Sequence, residues 1–151
     1  MKNSTGAQEG IEVRYRSMLI LWIGQMLSIG VFFLLTQFVA VSDDRAPNNL
    51  LSFVIAAVGT FIAIISFAVK GKLLQKSVEN QDLALVQQAS VVACALCEVP
   101  ALLGVAERFI LPGREYLLMF FLSAVTMALH FPRKLNLLAA SYKDPSFGGA
   151  P

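Results

Sequence analysis

Residues 87–110 read QQASVVACALCEVPALLGVAERFI, and this stretch decides the fold. Between positions 87 and 106 its one acidic or basic side chain is Glu98. At 1.5 Å of rise per residue, a helix of this length covers the roughly 30 Å of bilayer hydrocarbon. The apolar residues form a block and do not alternate with polar ones. That argues against the alternating strands, about ten residues long, of a membrane barrel. In lipid a helix satisfies its own backbone hydrogen bonds, so a spanning block takes that form.

Three more blocks of this kind flank it, at residues 17–41, 50–69 and 116–131. The last is short, but a helix of about 17 residues still crosses; Pro132, Arg133 and Lys134 stop it at the boundary. Residues 42–49 (SDDRAPNN) and 111–115 (LPGRE) read as turns, and 70–86 as a polar loop holding Lys70, Lys72 and Lys76. The expectation is an all-α, four-transmembrane-helix bundle over residues 17–132. A disordered tail (1–16) precedes it and a flexible tail (133–151) follows. Within that second tail, 135–142 has a rival reading as a surface helix. The first block exceeds the apolar region of about 7–15 residues found in signal peptides, so it reads as an uncleaved anchor.

Composition agrees. The chain is 56% hydrophobic and 15% charged, with mean hydropathy +0.66, against about 45–50% and about 25% in soluble domains. A net charge of +2 here reports orientation and not nucleic-acid binding. Lys2, Arg14, Arg16, Lys70, Lys72, Lys76, Arg133, Lys134 and Lys143 fall in the two tails and the middle loop. Only Arg45, Arg108 and Arg114 fall in the other loops. That asymmetry places both ends in the cytoplasm of a bacterial inner, or plasma, membrane.

Glu98 is the most informative residue. It lies roughly 16 Å from either edge of its block, at 1.5 Å per residue. An ionised, unpaired carboxylate is costly at that depth, so the protonated form is expected. Two roles fit: an ion-binding or proton-carrying group, or a donor of one interhelical hydrogen bond. Thr60, Ser123, Thr126, Ser28 and Gln25 are the supporting polar residues at similar depth; no basic residue is. Pro100 removes a backbone donor, which predicts a kink and a freed carbonyl at Leu96.

Small residues mark packing faces: Gly24 in the first block, Ala56, Gly59 and Ala63 in the second, and Cys94, Ala101 and Gly104 in the third. Ser52, Ala56 and Thr60 repeat every four residues. Cys94 and Cys97 form a C-x-x-C, but mid-membrane they lack the exposed helix start of a redox pair. His130 reads as part of an interfacial belt with Arg133 and Lys134; Glu107 and Arg108 read as edge charges reaching water. No cofactor motif, metal-ligand set or catalytic set occurs.

The phrase Ala95-Leu96-Cys97-Glu98, with Pro100 and Gly104 after it, looks like the A-L-x-E signature of rotary ATP synthase c-subunit proteolipids. Residues 50–111 resemble that family's hairpin, though its GxGxGxG helix and R-Q-P loop are absent. The resemblance implies a titrating carboxylate at Glu98. The remaining architecture looks like small four-helix bacterial membrane proteins. The expected function is a non-catalytic accessory or assembly module, whose partners are the bilayer and itself or another membrane protein, without nucleic acid. The alternative is a proton- or cation-handling subunit.

Overall fold

The structure is a computed structural model and describes residues 3–38, 48–111 and 114–141, with side chains from residue 10. These residues form helices α1 (Asn3–Phe38), α2 (Asn49–Glu79), α3 (Leu83–Ile110), α4 (Tyr116–Leu129) and α5 (Lys134–Ser141), with no strand among them. α1 from Gly10, α2 and α3 are each long and apolar enough to cross a membrane. α4 and α5, bent by 45° at their junction, make a fourth candidate when taken together. Residues 39–47 and 112–113, which hold most of one expected loop and part of another, lie outside the described residues, as does 142–151.

Contacts fix the topology. Ser52 meets Glu107 and Ser66 meets Cys97, so α2 and α3 run antiparallel. Ser123 meets Cys97, and Gly104 abuts Tyr116 and Phe120, so α3 and α4 do too. Trp22 reaches Met127 and Gln37 reaches Tyr116, which sets α1 antiparallel to α4. The result is an up-down-up-down bundle. α3 lies at its centre and buries Ala89, Ala93, Cys94, Cys97, Pro100, Ala101 and Gly104. Those side chains are small, so three neighbouring helices approach closely. In lipid such close packing, and not water exclusion, drives helices together.

The middle loop is shorter than the sequence suggests. α2 continues to Glu79 and α3 starts at Leu83, leaving three residues between them. Leu73, Leu74 and Ser77 on one helix, and Leu83 and Val86 on the other, keep helical spacing and turn inward. Gln81 takes the left-handed conformation (φ 52°). Asp82 caps α3 by accepting from the Ala84 N–H at 2.8 Å, the usual work of an N-cap carboxylate.

Both expected tails also gain structure. α1 begins at Asn3, well before residue 17. Residues 134–141, expected to be loose, form α5. The cause is a second small core, in which Ile11, Met18, Val86, Leu137 and Ala140 are buried together. Lys134 donates to Glu12 above it. Pro132 is buried at the corner, where its missing N–H costs nothing at a helix start.

Two glycines separate packing from surface. A Cβ at Gly104 would sit 3.0 Å from Met119 Cβ and 3.1 Å from the Tyr116 carbonyl oxygen. At Gly24 nothing lies within 4 Å. Gly104→Ala is therefore expected to destabilise the bundle by about 1–3 kcal/mol through overpacking. Gly24→Ala should stay within about 0.5 kcal/mol or gain slightly. Equilibrium unfolding in mixed micelles separates the two.

Candidate functional site

The polar side chains of the interior gather where α4 ends. A helix leaves its last four carbonyls without partners, and in a bilayer no water is present to satisfy them. The His130 N–H reaches the Thr126 and Met127 carbonyls and the Phe131 N–H that of Ala128, and three side chains add further donors. The His130 Nδ1 lies 2.9 Å from the Thr126 carbonyl oxygen. Trp22 Nε1, from α1, donates to the Met127 carbonyl at 2.9 Å. Lys70 Nζ, from α2, donates to the His130 carbonyl at 3.0 Å. A cation at a helix C-terminus also complements the helix dipole.

His130 is 1% exposed. It is a buried residue of the bundle, not a member of an interfacial belt. A carbonyl only accepts, so Nδ1 carries the proton, and Nε2 of the neutral ring presents a lone pair. That lone pair faces Ser66 Oγ at 3.3 Å. Ser66 Oγ also lies 2.6 Å from the Ala63 carbonyl oxygen and accepts from Cys97 Sγ at 3.6 Å. Ser66 has one proton and two acceptors competing for it. Phe67 covers the imidazole, with ring centroids 4.2 Å apart. Ser123 Oγ donates to the Cys97 carbonyl, one residue beyond the Leu96 carbonyl that Pro100 strips of its donor. α3 itself continues as one helix through Pro100.

The named polar candidates do not converge on Glu98. Ser123 and Thr126 are buried at the α4 cluster, and Thr126 spends its hydroxyl on the Leu122 and Ser123 carbonyls. Thr60 is exposed on α2. Glu98 is half-buried on the side of α3 that faces α1, with the Ser28 side chain beside it. Gln25, one turn earlier on α1, is half-buried with its Oε1 buried and unpartnered.

Of the packing candidates, Ala63, Cys94 and Ala101 are 2% exposed or less, and Gly59 and Gly104 are buried. A Cβ at Gly59 would meet Met119 Sδ at 2.9 Å. Ala56 is half-buried, and Gly24 is exposed.

Sequence reasoning missed a second carboxylate. Glu107 was expected to reach water but is 3% exposed and accepts from Ser52 Oγ of α2. Its neighbour Arg108 stacks over the Tyr116 ring, 5.4 Å from the centroid. Gln37 donates to the Tyr116 hydroxyl at 3.2 Å. Among the described residues, no three His, Cys, Asp or Glu side chains come close enough together to share a metal ion. No protein-family model, curated protein or solved structure matches the chain.

The capping bonds lead to a specific expectation. Trp22→Phe keeps an aromatic ring against Phe131, which it now meets edge-on at 5.2 Å, but loses the N–H. The lost hydrogen bond should lower stability by about 1 kcal/mol. Thr60→Ala, on the exposed face, should change it by less than about 0.5 kcal/mol. Unfolding midpoints in the same micelle check both.

Proposed function

We propose that this chain is a multi-pass protein of the bacterial inner membrane, with four spans and both ends cytoplasmic. It serves there as a non-catalytic accessory or assembly module. One observation carries the reading: four polar side chains of the interior bond from one helix to another. Ser123 bonds to the Cys97 carbonyl, Lys70 to the His130 carbonyl, Trp22 to the Met127 carbonyl and Ser52 to Glu107. A site that turns over a substrate needs polar groups converging on space that the substrate enters. Here the converging groups close a helix end.

The outward surface has another character. Ile20, Leu27 and Phe61 are 70%, 65% and 63% exposed, which suits lipid or a partner helix. Nine of the twelve Lys and Arg residues favour the cytoplasmic side for both ends. The contact of Glu12 with Lys134 brings the starts of α1 and α5 to one end of the bundle, in keeping with that orientation.

One observation favours a second reading, ion handling by Glu98. Its carboxylate is not sealed in the core but half-buried at the seam with α1, beside Ser28. It ends the Ala95-Leu96-Cys97-Glu98 phrase, where a proteolipid-like hairpin would carry its titrating group.

The two readings part on one variant. If the protein is a packing module, Glu98→Gln keeps its co-purifying membrane partners in mild detergent, identified by mass spectrometry, and leaves ion flux in proteoliposomes unchanged. If Glu98 handles ions, the wild type reacts with a hydrophobic carbodiimide at Glu98 and Glu98→Gln abolishes flux. A chain that stays in solution without detergent would refute both.

A further inference from the structure

We propose that the crevice between α1 and α4 seats one acyl chain of a phospholipid whose phosphate is held by Arg108. The inference rests on the membrane reading above. The crevice has a volume of about 370 Å³. Met26, Gly30 and Phe33 of α1 and Leu117, Phe120 and Ala124 of α4 form its walls, and every lining residue is apolar. At Gly30 nothing lies within 4 Å of where a Cβ would stand, so the gap reaches the α1 backbone.

A line of aromatic rings leads from the crevice to a cation. Phe33 meets Phe120 edge-on at 5.6 Å, and Phe120 meets Tyr116 at 6.4 Å. The Arg108 guanidinium then covers the Tyr116 ring at 5.4 Å. Arg108 is half-buried and forms no salt bridge among the described residues, and its Nε is buried without a hydrogen-bond partner. The adjacent carboxylate, Glu107, is turned to Ser52 of α2. Among the described residues the other charges at this end, Arg114 and Glu115, are exposed and of opposite sign. Of these four charges, two of each sign, Arg108 is the half-buried cation with no carboxylate in salt-bridge range among the described residues. A guanidinium presents a planar fork of donors that fits phosphate oxygens. An apolar slot with such a fork one aromatic ring beyond its wall, past Tyr116, matches an anionic headgroup on a hydrocarbon tail.

Native mass spectrometry of the full chain in mild detergent tests this, with phosphatidylglycerol and a diacylglycerol of the same chains as probes. The expected result is one retained phosphatidylglycerol, with the diacylglycerol bound at least tenfold more weakly. Gly30→Leu fills the slot from the open side, and Ala124→Leu fills it from the other wall. At least one of them, with wild-type helicity by circular dichroism, should weaken phosphatidylglycerol binding tenfold or more. Arg108→Gln should remove the preference for the phosphate-bearing lipid. Equal retention of both lipids, wild-type affinity in both crevice variants, or displacement of the lipid by millimolar inorganic phosphate would overturn the proposal. A detergent-requiring protein that retains no lipid would overturn it while leaving the membrane reading intact.

Discussion

The close approach of three helices to α3 is the constraint on which the rest of this bundle depends. α3 buries Ala89, Ala93, Cys94, Cys97, Ala101 and Gly104, and none of them has a large side chain. Small side chains let neighbouring backbones come near enough for hydroxyls and thiols to bridge between helices. Ser123 reaches a backbone carbonyl of α3, and Cys97 reaches Ser66 of α2, because the spine leaves no bulk between them. A leucine at Gly104 would push Tyr116, Met119 and Phe120 away together, since all three stand within 3.3 Å of the added Cβ.

The second constraint follows from the first. α4 has 14 residues, and its C-terminal carbonyls come to rest against the other helices. Carbonyls without donors there would each cost the desolvation of a polar group. Backbone N–H groups of His130 and Phe131 meet part of that need, and Trp22, Lys70 and His130 add donors from three different helices or helix ends. The same bonds that close the helix tie α1 and α2 to α4, so the cap and the tertiary structure hold or fail together. Lys70 serves twice, since its cation complements the helix dipole as well as donating a bond.

Block lengths, and the small residues of the third block, could be read from the sequence because both are one-dimensional properties of an apolar helix. Direction around the helix was harder to read. The ladder of Ser52, Ala56 and Thr60 repeats by four, which gains roughly 40° per step on a helix of 3.6 residues per turn. By Thr60 it has drifted to an exposed face. The line that stays against α3 alternates fours and threes: Ser52, Ala56, Gly59, Ala63, Ser66. An alternation averaging 3.5 tracks one face. The α4 cap was hidden for another reason. Its donors lie 60 and 105 residues from their acceptors, and spacing carries no sign of that pairing. One signal was present: the fourth block is the shortest of the four, so its end lies nearest the interior, and Trp22 and Lys70 were donors available on other helices. The helix at 134–141 was legible only as a rival, because its two buried positions, Leu137 and Ala140, matter only once Ile11 and Val86 are beside them.

The two carboxylates of α3 show how depth and direction combine. Glu98 and Glu107 are nine residues apart, and at roughly 100° per residue they stand on roughly opposite sides of the helix. One meets Ser28 of α1, the other Ser52 of α2. Each pairing sets a serine hydroxyl, which donates or accepts, against a carboxyl that does both when protonated. Sequence depth alone gave Glu98 the central role and left Glu107 to the water. The packing reverses their exposure: the mid-helix acid is half-open at a seam, while the acid near the helix end is closed. A carboxyl that is sealed and bonded is suited to hold a helix in place. One that is half-buried at a seam leaves part of its carboxyl uncovered by the bundle. Which acid of α3 is sealed and which is open therefore turns on the face of the helix it occupies, more than on how deep it lies.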